Sequence, residues 1–130
     1  MAEAEVVLID TSSWIEALRS AGRSDVRNRV MSFMIQGRAA WCDIVTVELW
    51  NGARGVYEKQ RLKELDKEIV CLQTTQEVWQ TARQLAQKCR TAGQTVPVVD
   101  LVITACALFY GVAIEHCDEH IDFILKAQRT

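Results

Sequence analysis

An α/β fold, with a parallel sheet covered by helices on both faces, is predicted by three features of this 130-residue sequence. Short, β-branched apolar runs alternate with longer stretches of helical periodicity, which is the order of consecutive βαβ units. The runs are continuous rather than alternating apolar and polar, as strands buried on both faces are. Helix punctuation separates them, with a hydroxyl or aspartate before most helical stretches and glycine after several. The length suits one domain, residues 1–130, and 49% hydrophobic with 25% charged residues describes a globular chain rather than a disordered one.

The elements follow in order. EVVLI at 5–9 is the first strand. Ser13 and Glu16, three apart, fit a capping box opening a short helix that ends near Ala21 and Gly22. Ser24 caps a second helix, in which Val26, Val30, Phe33 and Met34 recur at helical spacing and Gly37 closes the element. AAWC at 39–42 is a short strand, Asp43 caps the helix IVTVELWNGAR, and a charged helix covers 58–67. EIVCL at 68–72 is the next strand. Thr74 and Glu77 supply a capping box for helix 75–92, whose inward stripe is Val78, Ala82, Leu85 and Cys89 and whose end is Gly93. Pro97 stands where a first-turn proline belongs and opens the apolar helix VVDLVITACALFYG. Residues 112–115 form the last strand, and Asp118 caps a final helix, EHIDFILKA.

Composition narrows the function. No apolar run approaches the roughly 20 residues of a bilayer span, and MAEAEVV carries glutamates where a secretory signal carries positive charge, so a cytoplasmic protein is expected. Cys42, Cys71, Cys89, Cys106 and Cys117 form no C-x-x-C pair and read as small buried thiols, not a disulfide framework or zinc knuckle. The tryptophans, Met31 and Met34 read as packing residues. No phosphate-binding glycine loop and no G-x-S-x-G is present. Net charge is only −2, but residues 19–63 carry nine Lys/Arg against four acids. That stretch, chiefly Arg19, Arg23, Arg27, Arg54 and Lys59, reads either as a basic lip for a polyanion or as solvated helix faces.

Four carboxylates fall where ligands bind in such sheets, at the strand-to-helix handovers. Asp10 follows the first strand and Asp118 the last; Asp100 lies in the first turn of the helix opened by Pro97; Glu48 interrupts the apolar TVELW. Singly, Asp118 reads as a helix cap, Asp100 as an acid near a positive helix end, and Glu48 as half-exposed. Asp10 is different, because Thr11, Ser12 and Ser13 offer capping hydroxyls without it. If the four converge, their repulsion calls for a cation, and an all-oxygen set suits Mg²⁺ or Mn²⁺, one or two ions, with a phosphate substrate. His116, Cys117 and His120 suggest zinc or a Cys/His pair far less well, since they straddle a strand end and a helix start with no further soft ligand nearby.

In their order and separations, VLIDTSSWIE, TVELWNGAR, VPVVDLVITACAL and GVAIEHCDEHIDFI resemble the PIN-domain family, and within it the VapC-type ribonuclease toxins of toxin–antitoxin modules. The resemblance spans almost the whole chain. It implies a three-layer α/β/α fold with a central parallel sheet, a Mg²⁺- or Mn²⁺-dependent endoribonuclease, a homodimer, and an antitoxin partner that covers the site. The family's acidic quartet falls on Asp10, Glu48, Asp100 and Asp118. Thr11 matches the hydroxyl that orients the first aspartate or a metal-bound water, and Gly52 the small residue after the second acid. Some relatives carry a further acid two residues after the fourth; here His120 stands there, and Asp122 follows one turn after Asp118. The implied reaction is metal-assisted hydrolysis of an RNA phosphodiester, with Asp118 or Asp100 taking the water's proton.

Rival readings are a non-catalytic RNA- or protein-binding module of the same fold, and another acid-lined phosphohydrolase. A receiver domain wants a lysine after a late strand, and none follows residues 112–115 before Lys126; a haloacid-dehalogenase-type enzyme wants D-x-D, where this chain has Asp10-Thr11-Ser12. An antitoxin helix would need an exposed groove, for which Trp14, Val30, Phe33 and Trp50 are candidates unless they are core.

Overall fold

The computed structural model describes residues 5–130; of the MAEAEVV stretch, residues 1–4 lie outside it. The chain runs β1 (Val7–Ile9), α1 (Thr11–Leu18), α2 (Ser24–Ile35), β2 (Ala39–Cys42), α3 (Asp43–Gly52), α4 (Gly55–Glu68), β3 (Val70–Leu72), α5 (Gln76–Thr91), α6 (Val98–Tyr110), β4 (Ala113–Glu115) and α7 (Glu119–Gln128). The strands form one sheet in the order β3-β2-β1-β4, every pair parallel. Val7 pairs with Ala39 on one side and with Ala113 on the other. The chain therefore steps outward from β1 through β2 to β3, then crosses back to lay β4 on the opposite side of β1. Right-handed crossovers assign the helices before β3 to one face and those after it to the other. Most of the packing agrees: α1 lies on α2 and α3, and α3 on α4, while α5, α6 and α7 pack on one another; α3 also touches α6.

Continuous apolar sequence and burial agree in the centre of the sheet and part company at its edges. Every residue of β1 and β2 is buried, whereas Val70 and Cys71 on β3 and Ala113 on β4 are exposed. Short edge strands offer little backbone for a neighbouring chain to pair with. Beside the sheet, the rings of Trp14 and Trp41 meet at 5.4 Å with almost no exposure, a contact that adds about 1 kcal/mol to the area each buries. Trp14 and Val30 thus belong to the core, with Phe33 and Trp50 packed partly against it, and these four do not form an open groove. All five cysteines are free. Cys71 and Cys117 are exposed rather than buried, because one faces out from edge strand β3 and the other lies in the loop after β4. No helix of the described residues is long and apolar enough to cross a membrane.

Helix starts differ from the sequence reading by small, physically informative steps. The cap of α1 is Asp10, whose carboxylate accepts from the Ser13 backbone N–H, so Ser13 lies inside the helix. Ser24 is likewise helical, and no side chain caps α2. Asp43 is the first residue of α3 rather than its cap; its carboxylate accepts from the Thr74 hydroxyl at 3.3 Å. That bond ties the ends of β2 and β3 together, and Thr75 is left to cap α5. At the far end of α6, Gly111 takes the left-handed conformation with φ 67°, a C-terminal stop that residues with a Cβ resist.

Gly22 lies after α1, where a Cβ would stand 1.9 Å from the Glu16 carbonyl oxygen. Gly22→Ala is therefore expected to push the chain off the end of α1, lowering stability by roughly 1–3 kcal/mol in urea unfolding. An unchanged midpoint would mean that this turn relaxes freely.

Candidate active site

The reversal in strand order between β1 and β4 opens a crevice at the carboxyl ends of these two strands, and Asp10 stands at its base. The Asp10 backbone N–H donates to the Glu115 carbonyl at 3.0 Å, continuing the β1–β4 ladder by one bond. Asp10 is 2% exposed. The Ser13 N–H reaches Oδ1 at 3.1 Å, and the Ser12 hydroxyl lies 2.8 and 2.9 Å from the two carboxylate oxygens. Ser12 Oγ in turn accepts from the Cys117 N–H at 3.0 Å, so one hydroxyl ties the loop after β4 to the acid after β1. Burial raises the pKa of Asp10; the Ser13 N–H, the Ser12 hydroxyl and His116 pull it back, and the charge of Asp118 pushes it up.

Asp118 caps α7, its Oδ1 accepting from the His120 N–H at 2.8 Å. Asp100 reaches the same place from the first turn of α6. It is 8% exposed. Burial first, and then the charge of Asp118, push its pKa from 3.8 to about 6, with a smaller upward push from Asp10. Three acids from three separate segments thus feel one another. Oxygens of Asp100 and Asp118 and a ring nitrogen of His120 all lie within 4.8 Å of one another.

Glu48 is joined less directly. It is half-buried on α3, which touches α6, and its Oε1 accepts from the Thr11 hydroxyl at 2.5 Å. The Thr11 hydroxyl thus bonds the second acid, and the Ser12 hydroxyl bonds the first. The reason is register: as the first residue of α1, Thr11 faces α3, while Ser12 turns back over its own cap. Asp122 is exposed and contacts His116, with Oδ1 3.3 Å from Nε2. The His116 Nδ1 accepts from the Asp118 N–H at 3.2 Å, so Asp122 touches the cluster through a histidine ring.

A sequence profile of the PIN domain matches residues 7–124. The chain belongs to the PIN-domain family. Among relatives of this PIN domain, Ribonuclease VapC11 of Mycobacterium tuberculosis is 29% identical over 124 residues, covering 93% of this chain and 92% of that protein. Among solved structures, FitAcB from Neisseria gonorrhoeae superposes with a TM-score of 0.72 at 19% identity, covering 92% of this chain and 93% of that one. A toxin–antitoxin complex from Klebsiella pneumoniae superposes with a TM-score of 0.68 at 18% identity over 83% and 82% of the two chains. These structures share the parallel sheet with flanking helices, the architecture expected from the sequence.

The donor chemistry of this PIN domain fits a divalent ion. Two carboxylates and an imidazole within ligand reach, with a third buried carboxylate beside them, leave like charges that a cation would relieve. Ser12 and His116 are contributors that the sequence does not single out, whereas His120 stands at the position where some relatives carry a further acid. The Cys117 Sγ faces the Ser13 hydroxyl at 3.5 Å rather than either histidine. Beside the acids, a groove of about 690 Å³ runs between α1, α3 and α4, with Ile15, Leu18, Leu49, Tyr57 and Leu62 on its walls and Glu48 at one side.

Proposed function

We propose that this chain is a Mg²⁺- or Mn²⁺-dependent endoribonuclease that hydrolyses RNA phosphodiester bonds and is the toxin of a toxin–antitoxin pair. The observation that carries the reading is the meeting of Asp10, Asp100 and Asp118 at the β1/β4 crevice, two of them buried. The names of the matched relatives, which include a ribonuclease, point the same way. In this reading Asp10, Glu48, Asp100 and Asp118 hold one or two ions, with Thr11 and Asp122 supporting them from outside. When bound, the ion neutralises phosphate charge and makes a water acidic enough to attack at neutral pH.

The protein's own groups do the rest. Ser12 and the Ser13 N–H hold the Asp10 carboxylate in one orientation, and Thr11 does the same for Glu48. Asp118 or Asp100 is the carboxylate proposed to receive the attacking water's proton. Arg19, Arg23, Arg27, Arg54 and Lys59 are the proposed backbone contacts. Of these, Arg19 and Arg23 pair with Glu16 and Asp25, and Arg27 donates to the Arg19 carbonyl. The Arg54 and Lys59 side chains have no salt-bridge partner among the described residues and are the readier pair for phosphate. The proposal includes a single domain over residues 1–130, a homodimer, a cytoplasmic location, and an antitoxin seated along the groove beside Glu48.

The test is cleavage of a generic single-stranded RNA in Mg²⁺ or Mn²⁺, with EDTA as control. Metal-dependent internal cleavage is expected; RNA binding without cleavage in either metal would make this a binding module. Two further results are expected in the same assay. Thr11→Val, which frees Glu48, lowers cleavage by roughly 10- to 100-fold, the usual effect of losing a group that orients a ligand. Arg54→Ala and Lys59→Ala each reduce the slope of log affinity against log salt by about 0.7. An unchanged slope would remove that residue from the RNA path.

A further inference from the structure

We propose that His120 supplies a nitrogen ligand to the divalent ion, creating a mixed oxygen–nitrogen site that selects Mn²⁺ over Mg²⁺; the inference rests on the nuclease reading above. His120 is the second residue of α7, directly behind the cap residue Asp118. Its Nδ1 lies 3.1 Å from Asp118 Oδ1 and 3.6 Å from Asp100 Oδ2. Neighbouring ligands on an octahedral ion, with bonds of about 2.1 Å, stand about 3 Å apart. Both distances from Nδ1 are close to that spacing, and ligand atoms of the three residues lie within 4.8 Å of one another. The bond from the His120 N–H to Asp118 Oδ1, at 2.8 Å, anchors the backbone beneath the ring.

The two histidines of this region are not equivalent. Both nitrogens of His116 face a partner, the Asp118 N–H and the Asp122 carboxylate. His120 instead turns Nδ1 between two acids whose like charges are already crowded. Its side chain is 44% exposed, so as a mere ion pair it would stabilise the fold little.

The chemistry of an imidazole sets the preference. Mg²⁺ is a hard ion that takes oxygen ligands and keeps its waters. Replacing one oxygen donor by an imidazole moves the site toward transition metals, with affinity rising from Mn²⁺ to Co²⁺ and beyond. Manganese combines tolerance of the carboxylates with acceptance of nitrogen. His120 thus tunes which ion the site takes.

The test measures binding rather than turnover. Wild type, His120→Ala, His120→Asp and Asp100→Asn are titrated with Mn²⁺ and with Mg²⁺ by calorimetry, each variant first shown to be folded by circular dichroism. The Mn²⁺-loaded proteins are then examined by pulsed EPR for coupling to ¹⁴N. Wild type is expected to bind Mn²⁺ at least about tenfold more tightly than Mg²⁺ and to show nitrogen coupling. His120→Ala loses the coupling and about 10- to 100-fold in Mn²⁺ affinity. His120→Asp also lacks the coupling but binds Mg²⁺ at least as well as wild type. Absence of nitrogen coupling in wild type, or the same Mn²⁺-to-Mg²⁺ ratio in wild type and both His120 variants, overturns the proposal. If Asp100→Asn weakens Mn²⁺ binding while the His120 variants match wild type, the nitrogen ligand alone is wrong. If wild type binds neither ion, the nuclease reading falls with it.

Discussion

Asp10→Asn is expected to reduce metal-dependent RNA cleavage by more than about a hundredfold, beyond what loss of an orienting neighbour produces, while the protein stays folded. Asparagine is as good a helix cap as aspartate. Its carbonyl oxygen can accept from the Ser13 N–H as Oδ1 does now. The Ser12 hydroxyl, which already accepts from the Cys117 N–H, has a second lone pair for the new amide. The substitution removes only charge, and that charge opposes folding: burial raises the Asp10 pKa and Asp118 adds to the shift. At neutral pH the variant should therefore be at least as stable as wild type, by thermal unfolding without divalent ions. Undiminished cleavage would remove Asp10 from the site. Lost cleavage together with lost stability would show that its role is structural.

The second large effect concerns pH and metal together. Asp100 has its pKa pushed from 3.8 to about 6, chiefly by burial and then by Asp118. A carboxyl that holds its proton more tightly when folded contributes stability below pH 4, and that contribution is lost as pH rises through about 6. Fully developed, the loss is at most about 3 kcal/mol. The metal-free protein should accordingly lose stability between pH 4 and pH 7 relative to Asp100→Asn, in which this group no longer titrates. Adding Mg²⁺ or Mn²⁺ should restore stability at pH 7 and do little at pH 4.5, where protons compete for the same oxygens. The measurement is urea unfolding of both proteins across this range, with EDTA or with excess metal. Parallel pH curves for the two proteins would show that Asp100 is not crowded; equal metal stabilisation at both pH values would place the ion elsewhere.

Much of the architecture is legible because it is written in local chemistry. An apolar run such as VLI followed by an acid and three hydroxyls is a strand feeding a helix whichever of those residues caps it. The inward stripe of Val78, Ala82, Leu85 and Cys89 is buried as its spacing requires. Boundaries were less legible, because neighbouring residues compete for the same cap. Asp10 outcompetes Ser13, and Thr75 caps α5 once Asp43 has engaged Thr74. Those choices depend on where the adjacent strand stops and what faces it across the sheet.

The sequence by itself determined the alternation of strands and helices, the single polar interruption at the end of each key apolar run, and the residue types from which a site could be made. It did so through side-chain period, capping chemistry and the penalty for burying an acid, all of which act within a few residues. Only the tertiary structure decided that β4 returns to the far side of β1, and therefore that Asp10, Asp100 and Asp118 share one crevice while Glu48 joins them through Thr11. The same crossing turns His120 from a bystander near Asp118 into a neighbour of Asp100. Distances between groups far apart along the chain are set by how strands pair and helices pack, and no local preference encodes them.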